Sequence, residues 1–391
     1  MFEPAKRLVS AGYRVFFFLA GAWAVIAMTL WEVWLAGLGV EPYAMAPSEW
    51  HAHELIFGYG SAALAGFLLT AAPNWTKARD ASALFFAVVS GLWLAGRLAL
   101  WLSGSLPLWL VAVVDLSVLP VVAGKVLGML LSRPKPPQML ILAAIALVWL
   151  ADLVMHLDWM GVLPGGAWTG ARAGLLALAA LIVIIGGRVT PAFTRNAMIR
   201  AGREERLPLN PMKLAAAGIA PALLVPVALL AGFDSVAAGA ALVAGLVALV
   251  RVALWRGGWT LGQPILWILH LGYALTALGL VLWGLAGFGI GQELAALHLL
   301  AIGGVGGMTL AVMSRAALGH SGRALVAPRA VALAYGLVPV AAGLRMVGAL
   351  VPGLYLPAVL AAGAVWVLAF ALYTGVLMPV FWGPKVTEAE A

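Results

Sequence analysis

The stretch Leu214–Phe233, LAAAGIAPALLVPVALLAGF, contains 20 residues and no charged side chain. A helix of about 20 residues is long enough to cross the hydrocarbon core of a bilayer. Comparable apolar stretches recur along the 391 residues, of which 64% are hydrophobic and only 10% charged. So few charged side chains cannot cover a soluble surface of this size. The sequence therefore predicts an all-α polytopic membrane protein and excludes soluble enzymes and nucleic-acid binders.

The apolar stretches predict about twelve transmembrane helices, separated by glycine, proline and charge clusters. Their predicted spans are residues 14–36, 51–73, 81–103, 108–131, 138–158, 168–190, 212–231, 236–255, 263–286, 293–314, 328–350 and 355–380. A polar loop, residues 191–211, divides them into two six-helix halves, residues 1–190 and 212–391. Because no linker indicates a separate domain, we interpret residues 1–391 as one transmembrane domain.

The basic residues lie mostly in alternate loops. If the N-terminus is cytoplasmic, the cytoplasmic side carries Lys6, Arg7, Arg14, Lys77, Arg79, Arg133, Lys135, the segment from Arg188 to Lys213, Arg251, Arg256, Arg315, Arg323, Arg329 and Lys385. The opposite loops carry acidic residues instead: Glu41, Glu49, Asp158, Asp234 and Glu293. This asymmetry predicts that both termini are cytoplasmic. The net charge of +8 therefore reflects orientation and gives no reason to expect a nucleic-acid partner.

Three arginines depart from this pattern, because Arg97, Arg172 and Arg345 lie toward the outer ends of their predicted helices. A cation inside a membrane costs several kcal/mol unless it is paired. The available anions are Glu32, Glu54, Asp115, Asp152 and the carboxylates of a bound ligand. Structural ion pairs account for these arginines as well as ligand binding does.

The histidines are the candidate metal ligands, because the chain has no cysteine. All six lie beside or inside predicted helices: His51, His53, His156, His270, His298 and His320. Imidazole nitrogen is the usual protein ligand of haem iron and a common ligand of copper. An ionisable side chain inside a membrane is a functional candidate by default, although a histidine at a helix end also serves as an interfacial cap.

His51 and His53 point about 200° apart on a regular helix. They therefore serve two centres, or one is a ligand and the other an orienting partner, with Glu54 on the face of His51. His298 lies at a depth similar to that of His53, and the glycines that follow it leave a strip for another helix or a flat macrocycle. Asp152 and His156 share a helix face, with Asp115 at comparable depth. With Arg97 they form a proton relay or a charge-balanced network.

The cytoplasmic side carries two further histidines. His270 lies about 9 Å from the inner end of its predicted helix, at 1.5 Å per residue. His320 closes another helix, where Arg323, three residues later, and the preceding Arg315 can bind an anion beside the imidazole. An ordinary loop histidine is the alternative for His320.

Three blocks of sequence resemble the NnrS family in order, spacing and helix position. They are His51-Ala-His-Glu-Leu-Ile-Phe-Gly58 followed by Gly66-Phe-Leu-Leu-Thr-Ala-Ala-Pro-Asn-Trp75, then Gly187-Arg-Val-Thr-Pro-Ala-Phe-Thr-Arg-Asn196, and Met313-Ser-Arg-Ala-Ala-Leu-Gly-His320-Ser-Gly-Arg323. The resemblance spans nearly the whole chain. It implies a bacterial inner-membrane protein of twelve helices that contains haem and copper and belongs to the nitric oxide response.

The resemblance transfers a set of positions to this chain without assigning a metal to each: His51, His53, Glu54, Gly58, His298, Arg315, His320 and Arg323. A weaker likeness is to the haem-copper oxidases, in which helices 2 and 10 supply axial imidazoles to a low-spin haem. His53 and His298 match that placement. The histidine of helix 6 and the adjacent His-His pair that bind copper in the oxidases are missing here, so that copper site does not carry over.

The leading hypothesis is a protein with haem b, and with copper as a second metal, that binds or reduces nitric oxide in nitrosative-stress defence. If it is an enzyme, it is a nitric oxide reductase-like oxidoreductase with an unknown electron donor. The candidate residues are His51, His53, His270, His298, Arg97, Arg315 and Arg323 for the cofactor, the same four histidines and His320 for metal, and Glu54 and His320 for catalysis.

Two alternatives come from other functional classes. A proton-coupled secondary transporter would use Glu54, Asp115, Asp152 and His156 as protonation sites. A scaffold or haem-handling protein would instead support another complex of the nitric oxide response.

Overall fold

The computed structural model describes residues 3–132 and 136–386, and these residues contain helices and no strand. Twelve helices of this part of the chain are long and apolar enough to cross a membrane. We number them α1 to α12: Gly12–Leu35, Pro47–Thr76, Ala83–Trp101, Leu108–Ser132, Gln138–Trp159, Gly166–Arg200, Met212–Leu230, Asp234–Ala253, Pro264–Ala286, Glu293–His320, Arg329–Leu350 and Tyr355–Val376. The prediction of an all-α membrane protein with twelve spans is confirmed.

Short helices flank the spans, at Glu3–Leu8 before α1, Gly257–Thr260 before α9 and Met378–Trp382 after α12. Several spans are longer than predicted. α2 begins at Pro47, α10 continues to His320, and α6 continues to Arg200, so the first half of the predicted loop 191–211 is helical. Arg133 and Lys135 lie outside the described residues. The cytoplasmic orientation of both termini stays a prediction.

Contacts within the chain divide it into two compact units. Unit 1 comprises Met1–Gly174, Met313–Leu325 and Phe370–Ala391, and unit 2 comprises Leu175–Val312 and Val326–Ala369. Each unit combines separate segments of the chain, so the units differ in composition from the six-helix halves expected from the sequence. The interpretation as one transmembrane domain stays a prediction.

Helix α6 continues through Pro191. Side chains from other parts of the chain donate to the backbone carbonyl that has no helical hydrogen bond at this proline. Proline has no N–H and leaves the carbonyl of Gly187 without its helical donor. Nη2 of Arg251 donates to that oxygen at 2.9 Å and Nδ2 of Asn210 at 3.0 Å. Arg251 lies within α8 and is 2% exposed. The prediction that it is a cytoplasmic loop residue was wrong.

Both α2 and α10 contain a π-helical segment immediately after a histidine. Glu54–Gly58 follows His53 in α2, and Leu299–Gly306 follows His298 in α10. A π-helical segment changes the register of the side chains on either side and is frequent at functional sites. These two segments mark the surroundings of His53 in unit 1 and of His298 in unit 2.

Candidate metal centre

Four ligand-type side chains of unit 1 meet within its membrane-spanning helices. His53 on α2, Asp115 on α4, and Asp152 and His156 on α5 each offer one nitrogen or oxygen, and these four atoms lie within 4.8 Å of one another. All four residues are buried, and His53 has no exposed surface. We call these four residues the His–Asp cluster.

The two imidazoles of the His–Asp cluster face the same two carboxylates. Nε2 of His53 lies 2.8 Å from Oδ1 of Asp152 and 3.1 Å from Oδ2 of Asp115. Nε2 of His156 lies 3.0 Å from Oδ2 of Asp115 and 3.8 Å from Oδ1 of Asp152. The shared helix face predicted for Asp152 and His156 is thereby confirmed.

A second layer of polar contacts surrounds the His–Asp cluster. Nδ1 of His53 lies 3.3 Å from Oε1 of Glu54, and Nη1 of Arg97 donates to the same oxygen at 2.8 Å. Nη2 of Arg97 also pairs with Oδ1 of Asp115. Nε1 of Trp23 donates to the other oxygen of Glu54 at 2.6 Å. Arg97 thus has two of the carboxylate partners that the sequence offered it.

Two glycines allow the helices to approach this closely. A Cβ atom at Gly96 of α3 would lie 2.9 Å from Oδ1 of Asp115, and one at Gly58 of α2 would lie 2.5 Å from Nη1 of Arg97. Real Cβ atoms do not come this near to other groups. Any larger residue at either position would therefore push the charged side chains apart.

Aromatic rings border the two histidines of the His–Asp cluster. The ring of His53 lies 5.3 Å from that of Phe57 and 5.3 Å from that of Trp159, and the His156 ring lies 5.0 Å from Trp159. Nε1 of Trp159 in turn donates to Glu49 at 3.0 Å. These rings surround the ionisable groups with apolar surface, where uncompensated charge is costly.

The charges of this region do not balance on their own. Glu54, Asp115 and Asp152 carry three negative charges and Arg97 one positive charge, which leaves −2 while both imidazoles are neutral. Buried charge is stable only when it is paired. Two further positive charges would neutralise the group, and either protons or a divalent cation could supply them.

His51 and His53 have different surroundings, as their angular separation predicts. The His51 ring stacks on Trp31 of α1, with ring centroids 4.4 Å apart and an 18° interplanar angle. The sequence put Glu54 on the face of His51, whereas the structure brings its carboxylate to His53. The described contacts thus give the two imidazoles different neighbours.

The two ring nitrogens of His298, in unit 2, differ in their hydrogen bonding. Nδ1 lies 2.8 Å from the carbonyl oxygen of Leu294, an acceptor only, so this nitrogen carries the proton and donates. Nε2 then holds a lone pair, and no described residue hydrogen-bonds to it.

Arg345 is a buried cation with no carboxylate partner among the described residues. It is 6% exposed, its guanidinium lies 5.7 Å from the ring centroid of Tyr355, and its Nη1 has no hydrogen-bond acceptor in the described part of the chain. Binding of a ligand carboxylate by Arg345 stays a prediction.

The glycine strip after His298 is a helix-packing surface. A Cβ atom at Gly304 would lie 2.7 Å from Oγ1 of Thr276 on α9, and one at Gly306 would lie 2.5 Å from the Trp366 ring on α12. Small residues allow this close approach between membrane helices. Of the two occupants considered for the strip, the structure shows helices and not a macrocycle.

His270, also in unit 2, has a tautomer set by a threonine. Oγ1 of Thr194 donates its one proton to the carbonyl of Thr190 at 3.0 Å, so it accepts from Nε2 of His270 at 2.9 Å. Nδ1 of His270 consequently holds a lone pair, and it is buried without a partner among the described residues. A Cβ atom at Gly257 would lie 3.2 Å from this nitrogen.

The remaining predicted site residues belong to unit 1. His320 stacks on Tyr13, with ring centroids 5.7 Å apart and an interplanar angle of 27°. Nη2 of Arg323 donates to the carbonyl of Pro379 at 3.3 Å, and Arg315 is 8% exposed. Binding of an anion by His320, Arg315 and Arg323 stays a prediction.

The sequence did not reveal that two sets of candidate residues form a single site. It assigned His53 to a cofactor and treated Asp115, Asp152 and His156 as a separate relay, whereas His53 contacts both aspartates. The comparable depth of Asp115 was the available signal. Its partner on α2 is determined by how α2, α4 and α5 pack, which periodicity does not report.

The fold and this site define a class: a twelve-helix membrane protein with a buried group of histidines and carboxylates that can hold a metal ion. The NnrS protein family model matches residues 7–385. The chain therefore belongs to the NnrS family, and the resemblance seen in the sequence is confirmed. No curated protein matches the chain. Membership of this family indicates a membrane protein of the nitric oxide response.

Proposed function

We propose that this chain is a haem b-binding protein of the bacterial inner membrane, with copper as its second metal, that binds nitric oxide in nitrosative-stress defence. Family membership supports the connection with nitric oxide. The observation that carries the proposal is the open Nε2 of His298, which the hydrogen bond from Nδ1 to Leu294 makes a lone-pair nitrogen.

The surroundings of His298 fit a haem. Histidines that bind metals commonly donate their other ring N–H to a backbone carbonyl, which fixes the tautomer and the ring orientation. His298 has this arrangement with Leu294. Arg345 fits a propionate, because it is a buried cation with an unused Nη1 on α11, which packs against the segment of α10 that ends at His298. A bound carboxylate would neutralise this cation.

His298 would hold the iron through Nε2, and the Leu294 carbonyl would keep the ring from rotating. Arg345 would pair with a propionate. When bound, the haem would supply an iron atom able to bind nitric oxide. Reduction of two nitric oxide molecules would also require two electrons and two protons, so binding and turnover need separate measurements.

An optical spectrum of the purified protein, with and without nitric oxide, tests this proposal. We expect a Soret band after haem-replete expression, and we expect nitric oxide to shift it. His298→Ala should lose the band. The matched control is His156→Ala, which also removes a membrane-embedded imidazole but leaves Nε2 of His298 unchanged. A wild-type protein without a Soret band would falsify the proposal.

A proton-coupled transporter is the second candidate, and one observation favours it. Glu54, Asp115, Asp152 and His156 belong to one buried contact network, which two protons would neutralise. Purified protein free of haem and metal would then dissipate a pH gradient across proteoliposomes while it takes up its substrate. Such uptake by the metal-free protein would favour the transporter over the haem protein.

A further inference from the structure

We infer that the His–Asp cluster binds one divalent first-row transition ion, with His53 and His156 as nitrogen ligands and Asp115 and Asp152 as oxygen ligands. This inference rests on the proposed function only in that the ion would be its second metal. The site belongs to unit 1, whereas His298 belongs to unit 2, so haem binding and ion binding can be measured independently.

The distances within the His–Asp cluster fit a tetrahedral ion. Nitrogen and carboxylate oxygen ligands lie about 2.0–2.2 Å from zinc, so the ligand atoms of a tetrahedral site lie about 3.3–3.6 Å from one another. The four contacts between the imidazole nitrogens and the carboxylate oxygens are 2.8, 3.1, 3.0 and 3.8 Å, which bracket this range. Small adjustments of the side chains would complete the coordination.

The second layer prepares His53 to act as a ligand. Its Nδ1 lies 3.3 Å from Oε1 of Glu54, so with an ion on Nε2 the ring proton would lie on Nδ1 and be donated to that carboxylate as a hydrogen bond. This is the carboxylate–histidine–metal arrangement found in many metal sites. A lone pair on Nε2 and the oxygens of Asp115 and Asp152 repel one another unless a cation lies between them.

The charge of the region matches a divalent ion. Three carboxylates against one guanidinium leave −2, so an ion of charge +2 makes the buried group neutral with both imidazoles unprotonated. Arg97 contacts Oδ1 of Asp115 and the Glu54 carboxylate. The other oxygen of Asp115, Oδ2, contacts the two imidazoles. The position of Arg97 does not block the proposed coordination.

The ligand types select the class of ion. Two imidazoles and two carboxylates suit Zn²⁺, Cu²⁺ and Fe²⁺, whereas Mg²⁺ and Ca²⁺ prefer oxygen ligands alone. The four side chains of the His–Asp cluster would fill all four positions of a tetrahedral site.

Co²⁺ and Zn²⁺ are suitable probes for this site. The purified full-length protein is stripped with a chelator, loaded with each ion and passed through a desalting column. We expect about one ion to remain per chain, and we expect Co²⁺ to give the intense visible bands of tetrahedral coordination. Asp152→Asn combined with His156→Ala should lose both the retained ion and these bands, while Glu49→Gln should keep them.

Glu49→Gln is the matched control, because Glu49 contacts Trp159 beside the cluster but contributes no ligand. If the double variant fails to fold, ion retention by the wild-type protein still tests the inference. A wild-type protein that retains neither ion, or a folded double variant that retains as much as the wild type, would overturn the inference and leave a proton-neutralised network. A protein that retains Co²⁺ but shows no Soret band would contradict the proposed function alone.

Discussion

The two nitrogens of an imidazole determine what it can bind, and in this respect the buried His53 and the partly buried His298 differ. Nε2 of His53 faces two carboxylates within 3.1 Å, while Nε2 of His298 hydrogen-bonds to no described residue. The Leu294 carbonyl sets the tautomer of His298, whereas both nitrogens of His53 face carboxylate oxygens. These contacts support a metal-ligand role for His53 within the His–Asp cluster and a haem-ligand role for His298.

Alanine substitutions should therefore separate two cofactors. We expect His298→Ala to lose the Soret band and to keep the divalent ion, because its site belongs to unit 2. We expect His53→Ala to lose the ion and to keep the band. Absorbance spectra together with metal analysis of each purified variant provide the measurement. Loss of haem in both variants would instead support the pairing of His53 and His298 that the oxidase likeness suggested.

Arg97 should be the most sensitive single cation of unit 1. Arg97→Met leaves Glu54 and Asp115 buried without their guanidinium, and removal of one partner from a buried ion pair costs about 3–5 kcal/mol. Thermal unfolding in detergent measures the effect. Arg195→Met is the matched control, because Arg195 is exposed on α6, and it should leave the melting temperature nearly unchanged. Equal melting temperatures in the two variants would contradict this assignment.

At the scale of the helix, α6 continues through Pro191 because Arg251 supplies missing donors. Its guanidinium reaches the carbonyls of Val183 and Gly187 and the hydroxyl of Tyr273. A buried carbonyl without a donor costs about 1–3 kcal/mol. The arginine therefore stabilises an interruption in this helix that the sequence would otherwise make unfavourable.

A rescue experiment tests this role. We expect Arg251→Met to lower the melting temperature, because two carbonyls of α6 lose a donor. Adding Pro191→Ala to that variant restores a backbone N–H for Gly187 and should recover part of the loss. Pro191→Ala alone should have little effect, because Arg251 and Asn210 already satisfy Gly187. A double variant no more stable than Arg251→Met would contradict the explanation.

The sequence predicted the helices better than their contacts. Runs of apolar residues determine where membrane helices form, so all twelve spans were expected. The extension of α6 to Arg200 was not expected, because the hydrogen bonds that Arg251 donates next to Pro191 come from a residue far along the chain. Glu54 was one of several anions offered to Arg97, because a buried cation needs an anion, but the sequence did not single out this pair. The contact of His53 with Asp115 and Asp152 depends on three-dimensional packing and was missed.

At the scale of the whole molecule, the distribution of basic residues predicts that both ends of the chain face the cytoplasm. A green fluorescent protein domain fused after Lys385 should fluoresce, because this reporter folds in the cytoplasm. Alkaline phosphatase inserted near Glu41 or Asp234 should be active, since it requires the oxidising outer side. The reverse pattern of reporters would contradict the predicted orientation.

The central claim is that this membrane protein has histidines among its apolar helices because their nitrogen atoms bind metals. Quantitative haem and metal analysis of the isolated full-length protein tests it most directly. We predict one haem and one first-row transition ion per chain after haem- and metal-replete expression. A colourless, metal-free protein that still protects cells from nitric oxide would contradict the account.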